Sequence, residues 1–227
     1  MPRSLEEIET FLAKQSYQAE VIVVENGSAD RTADVVREFA QRAEHSNIQL
    51  IQETQRGKGI AVRRGMLAAQ GGYRFMCDAD LSMPIEEVNK FLPPALEGYD
   101  VAMASREAPG ARRYNEPPYR HIGGRVINFL IRVLAVRDFQ DTQCGFKSFS
   151  AAAALDLFSV QQLDGLSFDV EVLYIAQQRG YKIVEVPINW YFSSESRVRL
   201  VQDTLRVISD LFQVRRNYQR GQYARQK

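Results

Sequence analysis

The chain has 227 residues, 45% of them apolar and 25% charged, with a formal net charge of +1. That is enough for one sizeable α/β domain with its own core, and the composition excludes a disordered or fibrous chain. Two cysteines, Cys77 and Cys144, lie far from each other and lack metal-ligand spacing to His, which argues against a disulfide framework and for a reducing compartment.

Residues 4–13 are predicted helical, with Leu5, Ile8 and Leu12 on one face and Ser4 as N-cap, three residues before Glu7. This polar-faced start does not read as a signal peptide. Residues 19–24 form a continuously apolar strand, of the kind covered on both faces. Glu25-Asn26-Gly27-Ser28 is a turn, and Asp30 opens a helix to about residue 43. A second strand spans 48–52. Arg56-Gly57-Lys58-Gly59 leads into a helix to about 69, Gly71-Gly72 breaks it, and 73–77 is a third strand. Pro84 starts a further helix with Glu86 and Glu87 in its first turn, and 100–104 is a fourth strand.

Such strand-helix alternation predicts a mostly parallel sheet with right-handed crossovers. Beyond Ser105, residues 108–119 read as a loop, 121–135 as a long helix, 146–149 as a strand, 151–158 and 168–179 as helices, and 182–186 as a strand. Residues 201–214 form an amphipathic, Arg-flanked helix. No linker divides the chain, so one domain over 1–227 is expected. The longest apolar run, 126–134, is interrupted by Asn128 and Arg132, so membrane contact is expected to be peripheral. Positive charge gathers late: residues 106–137 carry seven Arg against two Glu, and 197–227 carry eight Arg or Lys against two Asp. That distribution favours an anionic partner, and nothing in it calls for nucleic acid.

The segment richest in chemistry is Met76-Cys77-Asp78-Ala79-Asp80-Leu81. Two carboxylates lie two residues apart at a strand end, where open α/β sheets bind ligands. If strand geometry persists they point the same way, and their mutual repulsion is relieved by a divalent cation. Hard oxygen ligands suit Mg²⁺ or Mn²⁺, with positions left open for water or phosphate. A solvated turn is the competing reading of the same spacing.

Six segments in order carry a resemblance: residues 21–32 (Val-Ile-Val-Val-Glu-Asn-Gly-Ser-Ala-Asp-Arg-Thr), 56–62 (Arg-Gly-Lys-Gly-Ile-Ala-Val), Asp78-Ala79-Asp80, 141–147 (Asp-Thr-Gln-Cys-Gly-Phe-Lys), 168–173 (Phe-Asp-Val-Glu-Val-Leu) and 185–190 (Glu-Val-Pro-Ile-Asn-Trp). Together they resemble the inverting family 2 glycosyltransferases of the GT-A fold, in the polyprenyl-phosphate branch with its dolichyl-phosphate glucosyltransferases and mannosyltransferases. The resemblance implies a Rossmann-like, mostly parallel sheet flanked by helices. Its nucleotide-binding half would be about 1–105, its acceptor half about 106–200, and a basic amphipathic helix would occupy about 201–227. Met1-Pro2-Arg3-Ser4 matches the loop after the family's first strand, so that strand is expected to be absent and the true start to lie upstream. Glu25 stands where the family has Asp, one methylene shorter.

The implied reaction moves a hexose from a nucleotide-diphosphate sugar, UDP-glucose in preference to GDP-mannose, to a polyprenyl or dolichyl phosphate at the cytoplasmic face of a membrane. Asp80 is the first metal ligand, with Asp78 sharing the Mg²⁺ or Mn²⁺ ion or holding the ribose. Glu25 and Asn26 face the base and ribose, and Lys58 in its glycine turn meets the nucleotide sugar. Arg106 and Arg120 bind phosphate, with Arg113 and Arg125 nearby, and Arg197 or Arg199 reaches the diphosphate from a covering segment that includes Ser194 and Ser196. Asp141 and Gln143 belong to the acceptor-side motif and join Asp80 as candidate catalytic residues. Local structure competes at several positions. Asp30 also reads as a helix cap, the glycines of 57 and 59 as turn formers, Asp169 and Glu171 as helix N-terminal carboxylates, and Cys144 and Trp190 as packed residues. Two alternatives stay open: a hydroxyl acceptor, which would need Asp141 or Asp169 as base, and an inactive nucleotide-sugar-binding module.

Overall fold

The computed structural model describes residues 1–28, 30–42, 47–134, 136, 139–192 and 200–225. Helix α1 (Pro2–Leu12) leads into strand β1 (Glu20–Glu25), helix α2 (Thr32–Ala40), strand β2 (Asn47–Gln52), helix α3 (Lys58–Ala68) and strand β3 (Tyr73–Met76). A 3₁₀ turn (Ile85–Lys90) follows, then β4 (Val101–Ser105), β5 (Arg112–Tyr114) and α4 (Pro118–Leu134). The remainder is β6 (Lys147–Ser150), α5 (Ala151–Phe158), α6 (Phe168–Gln178), β7 (Ile183–Pro187), β8 (Asn189–Tyr191) and α7 (Leu200–Gln219).

The central sheet has the order β3-β6-β4-β7. β4 and β7 run parallel, while β6 is antiparallel to both of its neighbours. A second, parallel pair joins β1 to β2, and a third joins β5 to β8. β1 and β3 are both edge strands, bridged by α3, which packs on each. The Glu20 carboxylate accepts from the Gln70 and Gly71 backbone N–H groups at 2.6 and 3.1 Å, tying the start of β1 to the turn before β3.

β4 is buried throughout, because it is paired on both edges and covered on both faces. Its side chains alternate as a pleat requires: Val101 and Met103 enter the larger core, Ala102 and Ala104 the smaller one. The larger core lies under α3, α5, α6, α4 and α7. The smaller one, on the opposite face, is filled by Phe75, Phe91 and Phe146, packed edge to face with centroids 4.5–5.7 Å apart. α1 spans the gap to a third cluster, where Leu5 meets Val36, Phe39 and Ile48.

Local signals account for most of the elements and fail at a few. Ser4 is inside α1 rather than capping it. Pro2, with no N–H to lose, takes the first turn, and Ser4 donates to the Ala79 carbonyl instead. The helix expected after Pro84 is only a short 3₁₀ turn. The loop expected over 108–119 contains β5, three residues paired with a strand that is itself too short to announce itself. No helix among the described residues is long and apolar enough to cross a membrane.

The turn before α3 is pressed against the segment ahead of α6. The Gly59 N–H donates to the Asp164 carbonyl at 2.9 Å, and Gln161 Nε2 donates to the Gly59 carbonyl at 2.9 Å. Gly57 has φ +149°, and a Cβ there would stand 2.2 Å from the Asp164 carbonyl oxygen. Backbone lies on both sides, so relief would need a shift of the chain. Gly57→Ala is expected to lower stability by about 2 kcal/mol or more, read by urea denaturation, whereas Gly72→Ala, with open space around it, is expected to change it by under ~1 kcal/mol.

Candidate active site

The carboxyl ends of β1 and β3 and the start of α3 meet at one rim of the molecule. Glu25 ends β1, and its carboxylate accepts from the Ser28 backbone N–H, which holds it below the usual carboxylate range. Asn26 Nδ2 donates to the Gly57 carbonyl at 2.7 Å, and Arg56 donates to the Gly27 carbonyl at 3.2 Å. These bonds stitch the turn after β1 to the turn before α3. Lys58, the first residue of α3, then reaches Asp78, with Nζ 2.6 Å from Oδ1. Burial draws the Lys58 ammonium down, but Asp78 and Asp169 outweigh it, and the net effect is upward. Asp78 lies so close over Gly145 that a Cβ at that position would sit 2.2 Å from its Oδ2. Residue 145 therefore has to be glycine for the carboxylate to stay where it is.

Asp80 is placed differently from the strand-based expectation. β3 ends at Met76, and Asp78 to Leu81 form a turn closed by a 3.1 Å bond from the Leu81 N–H to the Asp78 carbonyl, with Leu81 at φ +48°. Alternation along a strand therefore does not set the directions of the two carboxylates. Asp80 is exposed, and its Oδ1 accepts from the Ser82 N–H at 3.0 Å. Among the described residues no group of three His, Cys, Asp or Glu side chains is arranged to hold a metal ion. The donor set at this rim is two carboxylates, which suits a hard cation that takes its other ligands from water or phosphate.

Beside this rim runs the segment from Asp141 to Lys147, pinned by two buried ion pairs. Arg106 grips Asp141 through Nε and Nη2 at 2.6 and 2.8 Å, and its backbone N–H adds a third bond. Burial alone pushes the Asp141 carboxyl up, but Arg106 overcomes it and holds the group at about 2. Lys147, 1% exposed, donates to Asp169 and to the Cys144 carbonyl, both at 2.6 Å. Burial raises the Asp169 carboxyl and Lys147 opposes that rise only in part. Cys144 is a packed thiol, pushed up to about 12 by burial, as expected of a residue that is not a nucleophile. Gln143 between them is partly exposed.

The other predicted residues scatter around this core. The guanidinium carbons of Arg106 and Arg113 lie 5.3 and 5.6 Å from the centroid of the Trp190 ring, so the indole packs against both cations. Arg113 is also paired with Glu107 and Glu116. Arg120 stacks on Phe192 at 5.1 Å, and Arg125 is exposed on α4. Asp30 accepts from the Thr32 N–H and hydroxyl, a local turn bond at the start of α2 rather than a site contact. Ser194, Ser196, Arg197 and Arg199 lie outside the described residues.

Sequence reasoning missed Lys147 as the partner of Asp169, and it missed the reach of Glu171. The Glu171 carboxylate is wholly buried and accepts from the backbone N–H groups of Gln162 and Leu163 and from the Tyr223 hydroxyl. It thereby fixes the segment that clamps Gly57 and Gly59. A carboxylate opening a buried helix was the visible signal; its partners are remote in sequence.

The Arg106–Asp141 pair makes a pH-dependent prediction. A carboxyl held below its unfolded value contributes stability above pH ~4 that is lost as pH falls toward 2. Arg106→Met leaves the buried carboxylate unpaired and is expected to cost about 3–5 kcal/mol at neutral pH. Burial then raises the Asp141 carboxyl, so the sign reverses: the variant should gain stability relative to the parent as pH falls from 7 toward 5. Thermal melts across that range check it, and parallel pH curves for the two proteins would refute it.

Residues 3–158 match the family model described as glycosyl transferase family 2. A dolichyl-phosphate beta-glucosyltransferase of Dictyostelium discoideum is 30% identical over 97% of the chain and 71% of its own length. The Mus musculus protein of that name is 32% identical over 97% of the chain and 72% of its own, and one from Trichomonas vaginalis 34% identical over 86% and 59%. Among solved structures, glucosyl-3-phosphoglycerate synthase of Mycobacterium tuberculosis with Mn²⁺, UDP-glucose and phosphoglyceric acid aligns with TM-score 0.62 at 17% identity, over 93% of the chain and 74% of its own. That likeness shows the GT-A fold, and with the family match it leads to one conclusion: the chain belongs to glycosyl transferase family 2.

Proposed function

We propose that the chain transfers a hexose from a nucleoside-diphosphate sugar to the phosphate of a polyprenyl or dolichyl lipid, with UDP-glucose preferred over GDP-mannose. The observation that carries the reading is the convergence of Lys58, Asp78 and Asp80 at the sheet rim next to Glu25 and Asn26. The name shared by the relatives supports the acceptor and the sugar. The Mn²⁺ and UDP-glucose in the structural neighbour support the donor and the metal.

In this reading Glu25 and Asn26 meet the base and ribose, and Lys58 turns from Asp78 toward the diphosphate as donor binds. Asp80 and Asp78 would hold Mg²⁺ or Mn²⁺, which supplies charge neutralisation for the leaving diphosphate. An oxygen of the acceptor phosphate attacks the anomeric carbon on the face opposite the diphosphate. The bond from that carbon to the diphosphate oxygen breaks, its electron pair leaves on the nucleoside diphosphate, and the configuration inverts. The attacking phosphate is already anionic at neutral pH, so no general base is required. That fits Asp141, whose two oxygens are engaged by Arg106, as a positioning residue. Arg106 keeps Nη1 to meet a phosphate, and Arg120 and Gln143 complete the acceptor side. A hydroxyl acceptor would call on Asp141 or Asp169 as base, and both are buried in ion pairs. A lipid acceptor would bring the protein to a membrane surface, and the reading puts it peripherally at the cytoplasmic face.

The test is incubation of the chain with labelled UDP-glucose or GDP-mannose, Mn²⁺ and polyprenyl phosphate in detergent, followed by organic extraction. Label from UDP-glucose is expected in the lipid phase. Asp80→Asn should reduce it by roughly 100-fold or more, the scale of a lost transition-state electrostatic contact, with an unchanged melting temperature. Extraction of label at the parent rate from the Asp80 variant would sink the assignment, and label from GDP-mannose alone would correct the donor.

A further inference from the structure

Helix α4 has two apolar faces, and the fold uses only one. Ile127 and Ile131 point inward to the core cluster that also holds Val207, Leu211 and Val214 of α7. On the other side Tyr119, Ile122, Val126, Phe129 and Val133 are 64%, 65%, 54%, 59% and 59% exposed. Their spacings alternate between three and four residues. At 100° per residue they fall within an arc of about 80° and form a stripe roughly 21 Å long. Five large apolar side chains in one line, each more than half exposed, form a patch that soluble surfaces rarely carry without use.

The charges beside the stripe select its partner. α4 contains Arg120, His121, Arg125 and Arg132 and no Asp or Glu. Arg125 and Arg132 are exposed and project along one border of the stripe, about 40–60° from its edge. A second copy of α4 offers these arginines no counter-ion, and an antiparallel pair would set them against each other. An anionic lipid surface satisfies both features: acyl chains take the apolar stripe, and headgroup phosphates take the guanidinium groups, whose stems lie along the interface. The helix also stands at the acceptor side of the site. It follows β5 directly, and Arg120 at its start stacks on Phe192, two residues beyond the Trp190 that Arg106 covers.

We propose that the outer face of α4 is the surface by which the protein docks on an anionic bilayer. The inference deepens the polyprenyl-phosphate reading, on which its purpose rests, by naming the face that brings the site to a membrane-resident acceptor. The other amphipathic, Arg-flanked helix of the sequence, 201–214, spends Val207, Leu211 and Val214 on the core.

The experiment is flotation of the full chain with vesicles of phosphatidylcholine alone or of phosphatidylcholine mixed with phosphatidylglycerol. The parent is expected to float with the mixed vesicles and not with the neutral ones, and to be released by high salt. Ile122→Ser/Phe129→Ser and Arg125→Glu/Arg132→Glu should each weaken binding about 10-fold or more. Leu155→Ser, an exposed apolar residue on α5, should not. All the substituted side chains are exposed, and circular dichroism melts confirm folding. No flotation of the parent, equal flotation with both vesicles, or undiminished flotation of the Ile122/Phe129 variant would overturn the proposal. So would a dimer seen by sedimentation that the same variant dissociates without any vesicle binding, which would give the face to a second copy. Transfer to polyprenyl phosphate in detergent is measured alongside. A variant that loses flotation and keeps transfer supports the docking face, while a parent that floats and transfers nothing faults the reaction and leaves the docking intact.

Discussion

Anionic side chains crowded at the carboxyl end of a sheet have to be balanced, and here the balance is struck by Lys58 against Asp78. Lys58 is fixed at the first position of α3 by the glycine turn before it, and Asp78 is fixed by the bare backbone of Gly145 beneath it. The pair is partly exposed, so it contributes little to stability. Under the proposed function its consequence is chemical: a cation and two carboxylates at one rim would exchange partners when a nucleoside diphosphate and a metal bind.

The surroundings make that rim rigid. Segment 141–147 is nailed at one end by Arg106–Asp141 and at the other by Lys147–Asp169, both carboxylates being nearly or fully buried. Buried pairs of this kind add little net free energy but are costly to break singly, so they fix geometry more than they stabilise. Glu171 does the same for the opposite wall. It gathers two backbone N–H groups and the Tyr223 hydroxyl, and so links the end of the chain to the segment pressed on Gly57 and Gly59. Packing far from the rim thereby sets where Lys58 begins. α4 sits outside this rigid frame, with one face in the core and one unused, which is what a surface element that meets a second phase requires.

Much of this was legible in the sequence because the signals were local. The apolar runs of β1 and β4 and the helices α3 and α5 all follow from neighbours within a few residues. β5 and β8 were not legible: Arg112-Arg113-Tyr114 has no apolar alternation, and its pairing with Asn189–Tyr191 depends on contacts such as the Tyr114–Tyr191 stack at 4.5 Å. Asp78 and Asp80 were singled out by position, but strand alternation does not relate the two carboxylates, because the chain leaves strand geometry at Met76. Arg106 and Asp141 were both singled out, yet their mutual pairing across 35 positions is a tertiary fact. Lys147 and Glu171 escaped for the same reason, since a buried charge shows its role only when its partner is known.

The most direct measurement is anomalous scattering from a crystal of this chain grown with manganese and UDP. The account predicts a manganese peak within ligand distance of an Asp80 oxygen, with diphosphate oxygens on the ion and Lys58 turned toward them. Manganese and nucleotide bound elsewhere, with Asp80 still turned back on the Ser82 N–H and Lys58 still closed on Asp78, would contradict it.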